Sequence, residues 1–220
     1  THGWAVARYA EYLAPLNDFS FASHIAPSIK GQITDENGDL YTLPIDVDLT
    51  GIVYNANVLD EAGVNADDIL TWADFEDACE KVKALGKTPI QLGGKDNYTL
   101  GNMMDYVAPT LITNENEANE NALLDGSFDW DNWNAVVDKI DFWNQSGYFN
   151  VDAVTADFMT GIGALASEQA AFMFTAASGI TETYVQNPDT EMGFIPMPAR
   201  EEGLRRSLMT GEHFAVGMSN

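Results

Sequence analysis

Two segments of the chain repeat apolar side chains every three or four residues, which predicts two amphipathic helices. The first, TWADFEDACEKVKALGK, has a predicted N-cap at Thr71 with Asp74 three residues on, and Gly86 ends it. The second, DWDNWNAVVDKIDFWNQSG, ends at Gly147. Three tryptophans on these segments are expected to be core residues: Trp72, Trp133 and Trp143.

Shorter apolar runs alternate with these helices and predict the strands of a sheet. Four runs have this character: TPIQLGG at 88–94, AAFMFTAASG at 170–179, MGFIPMP at 192–198 and HFAVGM at 213–218. NANVLDEAG at 55–63 predicts a short helix, and residues 99–112 predict a helix that kinks at Pro109. The alternation predicts an α/β or α+β domain in which helices cover a sheet.

Residues 41–55, YTLPIDVDLTGIVYN, combine a strand-like pattern with two carboxylates. Asp46 and Asp48 fall on the face opposite to an apolar one. Four residues alternate like the core-facing side of a strand: Leu43, Ile45, Val47 and Leu49. The segment is therefore predicted to be a core strand with two acidic side chains on its other face.

The two carboxylates permit two chemical interpretations besides ligand binding. Two same-face carboxylates on a strand lie ~7 Å apart, which suits the acid and base of a glycoside hydrolase. The oxygens of Asp46, Asp48 and Thr50 followed by Gly51 also match the first half of a calcium-binding loop. That match fails at its twelfth position, where Asn57 replaces the required glutamate.

The charge balance argues against nucleic acid and anionic membranes as partners. The 220 residues include 34 Asp and Glu against 10 Lys and Arg, which gives a formal net charge of -24. Phosphate binding depends on clustered basic residues, which are scarce here. The single cysteine, Cys79, is predicted to be a core residue, and three isolated histidines offer no zinc-ligand spacing. We expect no metal and no cofactor.

Polar and aromatic residues at the ends of predicted elements suit the recognition of a sugar, because rings stack on aromatic faces and hydroxyls donate to carboxylates and amides. The residues in question are Asp48, Asn97, Tyr98, Glu212, His213 and Phe214. The chemistry alone fits equally well with a structural role, in which Tyr98 and Phe214 are partly buried core aromatics and His213 is a surface histidine.

The order of several segments resembles the extracellular solute-binding proteins of ABC importers, in the carbohydrate-binding group that includes maltose-binding protein. The resemblance rests on GDLYTLPIDVDLTGIVYNANVLDEAGV followed by TWADFEDACEKVKALGKTPIQLGG. SGYFNVDAVT, ALASEQAAFMFTAASG, MGFIPMP and GEHFAVGMSN follow in the family's order. The resemblance covers residues 10–220.

The resemblance implies a periplasmic-binding-protein-like fold of two α/β lobes that clamp a ligand by hinge closure. The chain would be a fragment, with residues 1–40 a remnant of the first lobe. Residues 41–220 would be the second lobe, bounded by crossover strands near 41–54 and 211–217. The implied function is to bind a sugar or oligosaccharide and deliver it to an ABC permease, without catalytic residues.

The resemblance also implies a location and a set of ligand-binding residues. The protein would be extracellular or periplasmic, monomeric and lipid-anchored in its full-length form. The implied ligand-binding residues are Asp48, Asn97, Tyr98, Ser178, Glu212 and His213. Ser178 stands where the family often has a stacking tryptophan, so the identity of the sugar is not inherited. The alternatives are a carbohydrate-active hydrolase using Asp46 and Asp48, and a calcium-stabilised binding module.

Overall fold

The structure, a computed structural model, describes residues 9–114, 116–212 and 215–219 and divides into two compact units. Unit 1 comprises Thr1–Leu49 and Thr210–Asn220, and unit 2 comprises Thr50–Met209. The boundaries differ from the predicted division at residues 40 and 41. The assignment of these units to the lobes of the family stays a prediction.

Unit 1 is built on a helix and an antiparallel pair of strands. Helix α1 spans Pro27–Ile33, and strands β1 (Thr42–Pro44) and β7 (Ala215–Gly217) pair with Leu43 opposite Val216. Short 3₁₀ turns occupy Ala10–Tyr12 and Ser20–His24. A small core joins these elements: Leu16, Ile29, Ile33 and Leu40.

Unit 2 alternates strands and helices as the sequence predicts. The strands are β2 (Val47–Asn55, which begins in unit 1), β3 (Thr88–Ile90), β4 (Ala170–Ala176), β5 (Met192–Ile195) and β6 (Met209–Glu212, which ends in unit 1). The helices are α2 (Ala56–Glu61), α3 (Trp72–Ala84), α4 (Tyr98–Ala108), α5 (Glu117–Asp125), α6 (Asn134–Gln145), α7 (Phe158–Ala166) and α8 (Ser178–Gln186). A π-helical segment, Pro109–Thr113, continues α4 from the position of the predicted kink.

The larger sheet runs in the order β3, β4, β2, β5, and β6 also pairs with β2. β3 and β4 are parallel, whereas β2 is antiparallel to both β4 and β5. Ile52 lies opposite Phe174 and packs into one hydrophobic cluster, while Val53 lies opposite Met173 and packs into another. Helices therefore cover both faces of this mixed α/β sheet, as the predicted fold class requires.

The predicted core positions of Trp72, Trp143 and Cys79 are confirmed, whereas that of Trp133 is confirmed only in part. Trp72, Trp143 and Cys79 are buried, and Trp133 packs half-buried beside a smaller cluster. The ring centroids of Trp72 and Trp143 lie 5.4 Å apart. Thr71 forms the predicted capping box with Asp74, whose side chain accepts from the Thr71 backbone N–H at 2.8 Å.

The prediction of one core strand over residues 41–55 is wrong in two respects. The extended chain breaks at Ile45 and Asp46, so β1 pairs with β7 while β2 joins the larger sheet. The four alternating apolar residues are exposed, with Ile45 66% accessible, and β2 becomes buried only from Gly51. Alternation marks one face of a strand but does not show that another element covers that face.

Candidate ligand-binding site

The parallel pairing of β3 and β4 brings two predicted site segments to the same edge of the sheet. Thr88 pairs with Ala170 and Ile90 with Phe172, so the carboxyl ends of both strands point the same way. Residues 91–98 follow β3, and residues 177–182 follow β4. We call these two segments the carboxyl edge. Ligands of open α/β sheets characteristically bind beyond the carboxyl ends of strands.

The loop after β3 is held closely against the start of α7. A Cβ atom on Gly93 would lie 2.8 Å from the Phe158 backbone nitrogen, so a larger residue would not fit there. The Phe158 N–H donates to Asp96 Oδ2 at 2.8 Å, and the Thr99 hydroxyl donates to the Gly93 carbonyl at 2.9 Å. These contacts fix the position of the residues that follow the loop.

Tyr98 begins α4 at this edge and presents both an aromatic face and a hydroxyl. Its side chain is 52% exposed. Burial of its phenol, followed by the negative charges of Asp96 and Glu182, raises the pKa of Tyr98, which further favours the protonated hydroxyl. Asn97 precedes it, exposed and with no side-chain bond to the helix end. Together they offer a stacking surface, hydrogen-bond donors and acceptors.

Ser178 lies in the second segment and is the first residue of α8. The preceding Ala177 has no side chain that could cap the helix. Glu182 lies one turn further on, and its Oε2 atom is buried with no hydrogen-bond partner in the described part of the chain. Glu182 was not among the predicted site residues, because the apolar run at 170–179 predicts a strand and gives no sign of a helix that begins at Ser178. The sequence feature that could have indicated Glu182 is its position four residues after Ser178, which places both on the same face of a helix.

The remaining predicted site residues lie in unit 1 or outside the described residues. Asp48 lies half-buried in β2 within unit 1, and its Oδ1 accepts from the Leu49 N–H at 2.8 Å. Glu212 belongs to β6, but its side chain lies outside the described residues, as does all of His213. The structure thus brings Asn97, Tyr98 and Ser178 to one edge.

The hydrolase and calcium interpretations lose their geometric basis in the structure. Asp46 lies in the break between β1 and β2, so it does not share a continuous strand face with Asp48. The DVDLTG segment runs into β2 and is not a loop between two helices. Among the described residues, no group of three or more histidine, cysteine or acidic side chains is arranged to hold a metal ion.

A separate cavity of about 480 Å³ lies at the other end of the sheet, lined in part by Tyr54, Asp60 and Asp67. This cavity adjoins the carboxyl end of β2. Because β2 is antiparallel to β4, that end lies at the side of the sheet opposite to the carboxyl edge. Burial, followed by the charges of Asp67 and Asp60, raises the pKa of Tyr54.

No helix among the described residues is long and apolar enough to cross a membrane.

Comparison with known proteins gives a family match over nearly the whole chain. The family described as bacterial extracellular solute-binding protein matches residues 3–216. The melibiose/raffinose/stachyose-binding protein MelE of Bacillus subtilis is 28% identical over 220 residues, which cover 98% of this chain and 51% of MelE. The chain thus spans about half the length of this relative.

Solved structures of binding proteins also align with the whole of this chain and with only part of their own length. A Bacillus licheniformis sugar transporter in complex with stachyose aligns with a TM-score of 0.88 and 29% identity, covering 100% of this chain and 58% of the other. A putative binding protein from Bacillus subtilis in an open conformation aligns with a TM-score of 0.82 and 26% identity, covering 100% of this chain and 56% of the other.

Proposed function

The chain belongs to the bacterial extracellular solute-binding protein family, and we propose that it is part of a receptor that binds an oligosaccharide at the carboxyl edge of unit 2. MelE is named for melibiose, raffinose and stachyose, and a structural relative was solved with stachyose. These galactose-containing oligosaccharides are therefore the first ligands to test.

One observation carries the proposal: a half-exposed tyrosine begins a helix at the carboxyl edge of two parallel strands, on a loop fixed by hydrogen bonds. A pyranose ring has apolar faces that stack on such an aromatic surface and hydroxyls that need donors and acceptors around it. A fixed loop lowers the entropy cost of binding.

The proposed ligand residues have distinct roles. Tyr98 stacks on a sugar ring, while the amide of Asn97 and the hydroxyl of Ser178 form hydrogen bonds with ligand hydroxyls. Asp48 accepts hydrogen bonds from hydroxyls, because a carboxylate has two oxygens and no donor at neutral pH. Two further residues retain the proposed ligand role: Glu212 and His213.

The proposal extends to how the receptor is used. The receptor is non-catalytic and monomeric, acts outside the cytoplasm and is lipid-anchored in its full-length form. It delivers its ligand to the transmembrane subunits of an ABC permease when the ligand shifts it to a closed conformation. Family membership and the sugars named for MelE support this extension.

A tyrosine variant tests the proposed site. Tyr98→Ala is expected to weaken stachyose binding by about 10-fold to 100-fold, because it removes both stacking and a hydrogen bond. Isothermal titration calorimetry on the protein at the full length of its relatives measures this. The matched control is Tyr184→Ala, since Tyr184 is also exposed but lies six residues along α8, about 9 Å from its start. Equal affinity of both variants would contradict the site.

A turnover assay separates the receptor from the hydrolase. Incubation with stachyose followed by chromatography should recover the ligand unchanged. Sugar products that disappear in Asp48→Asn would contradict the non-catalytic assignment, because that substitution removes an ionisable carboxyl but keeps its shape.

A further inference from the structure

A second polar cavity, of about 290 Å³, lies in unit 2 at the far end of α4. Four asparagines line it, Asn114, Asn116, Asn119 and Asn132, and we call it the asparagine cavity. Arg200 and residues of the π segment Pro109–Thr113 contribute to the same lining. α4 begins at Tyr98, so the π segment starts about 16 Å along the helix axis from the carboxyl edge. The cavity is therefore distinct from the proposed oligosaccharide site.

Hydrogen bonds hold three of the four amide side chains in fixed orientations. In each, the side-chain amide N–H donates to a backbone carbonyl: Asn114 to that of Arg205 at 3.3 Å, Asn119 to that of Ile112 at 3.1 Å and Asn132 to that of Asp129 at 3.0 Å. The amide oxygens of these three side chains accept no hydrogen bond from any described residue. Three acceptors on fixed side chains are thus left for a ligand.

Donors complement these acceptors at the same cavity. Asn116 uses its Oδ1 to accept from the Asn119 N–H at 3.2 Å, so its amide nitrogen remains as a donor. The guanidinium of Arg200 is about half exposed and lies 3.5 Å from Glu201. Its five N–H groups exceed what that single exposed contact uses. Among its described lining residues, the cavity therefore combines acceptors and donors from amides with the positive charge of Arg200.

This combination selects among the kinds of ligand that a polar cavity can hold. An anion would be attracted by Arg200 but repelled by three amide oxygens, and a cation would face the opposite conflict. Neutral hydroxyl groups satisfy both sets, because each donates one hydrogen and accepts another. The volume lies near the lower end of small-molecule sites, which is room for about one sugar ring.

We propose that the asparagine cavity binds one neutral polyhydroxy ring, such as a single monosaccharide unit, independently of the oligosaccharide site. The π segment that lines the cavity is consistent with this role, because such segments concentrate at functional sites. With few contacts and an open rim, the dissociation constant is expected on the order of 1 mM. The proposal does not depend on the function assigned to the carboxyl edge.

Nuclear magnetic resonance on the ¹⁵N-labelled chain, titrated with D-galactose, tests this proposal. Galactose is expected to shift the side-chain amide signals of Asn119 and Asn132 in a saturable way. Asn132→Leu should weaken the binding by at least about tenfold, because it removes an acceptor. The matched control is Asn144→Leu, since Asn144 is an exposed asparagine on α6 outside the cavity lining. It should leave the shifts unchanged, as should Tyr98→Ala.

Three outcomes would overturn the proposal. They are no saturable shift of these amide signals, an unchanged titration in Asn132→Leu, and shifts caused by sodium acetate but not by galactose, which would identify an anion site. Melting curves show whether each variant folds. If Asn132→Leu does not fold, Arg200→Gln replaces it and is expected to weaken galactose binding about tenfold, since it removes the guanidinium donors.

Discussion

At the scale of single residues, two carboxylates on α3 illustrate how polar side chains are accommodated beside the main core. Glu76 Oε1 accepts from Lys139 Nζ at 2.8 Å and from Trp143 Nε1 at 3.0 Å. Glu80 Oε1 accepts from the Tyr148 hydroxyl at 2.8 Å. These bonds join α3 to α6 and to Tyr148, which lies shortly after the end of α6, so a buried tryptophan and a buried tyrosine both satisfy their polar atoms.

The Tyr148 hydroxyl makes the free energy of unfolding depend on pH in the alkaline range. Burial, followed by the hydrogen bond to Glu80, raises the pKa of Tyr148. The folded state therefore holds the phenol proton more tightly than the unfolded chain does. The stabilisation is complete below about pH 10 and is lost as the pH rises further.

Urea titrations between pH 9 and 11 measure this effect. The free energy of unfolding should fall with pH, and Tyr148→Phe should reduce the slope by up to about 1.4 kcal/mol per pH unit. Tyr184→Phe, at an exposed position, should leave the slope unchanged. A slope that Tyr148→Phe does not alter would contradict the role given to this hydroxyl.

Residue-scale predictions from the sequence succeeded where side-chain size and helical spacing decide the outcome. Trp72, Trp143 and Cys79 are buried because they share the inner faces of α3 and α6. Glu182 was not predicted, since its location depends on a helix that starts immediately after β4. Long-range pairing, which a local pattern does not encode, brings that helix beside Tyr98.

At the scale of elements, helices with a regular apolar face were predicted, whereas α7, which is rich in small residues, was not. α3 has a capping box, and a left-handed glycine, Gly86, follows its end. α7 has a clear N-cap at Asp157, but Gly161 and Gly163 lower its helix propensity and obscured it. The break between β1 and β2 was missed because two neighbouring strands in different sheets can share one alternating pattern.

A glycine in β2 shows how closely the strands pack. A Cβ atom on Gly51 would lie 2.6 Å from the Ile195 carbonyl oxygen and also meet the Phe194 ring. Gly51→Ala is therefore expected to destabilise the fold by about 1–3 kcal/mol, because the strand pairing must shift.

Urea denaturation with Gly101→Ala as the control tests this packing. Gly101 lies in α4, and a Cβ atom there would meet no neighbouring atom within 4 Å, so alanine should stabilise the helix by up to about 1 kcal/mol. If both alanine variants were equally stable, the close approach of β2 to β5 would be contradicted.

At the scale of the whole molecule, the fold class and family followed from the order of segments, whereas the ligand-binding residues stay a prediction. The alternation of strands and helices predicted the α/β class, and the family match over residues 3–216 confirms the resemblance. The proposed ligand residues come from segments distant in sequence, and Asp48 lies in unit 1. Its role, like those of Glu212 and His213, remains a proposal.

The charge of the molecule also fits a receptor for a neutral ligand. A net charge of -24 keeps the protein soluble through self-repulsion and disfavours anionic ligands. It neither attracts nor repels an uncharged sugar over long distances, so recognition must come from contacts within the site.

The central claim is that this chain forms part of an oligosaccharide receptor, and calorimetric titration with stachyose and raffinose tests it most directly. The protein at the full length of its relatives is expected to bind at least one of the two with a dissociation constant on the order of 1 μM. The 220-residue chain should bind it at least about tenfold more weakly, because a clamp's affinity requires both walls. Absence of sugar binding in the full-length protein, together with clear binding of a peptide, would contradict the account.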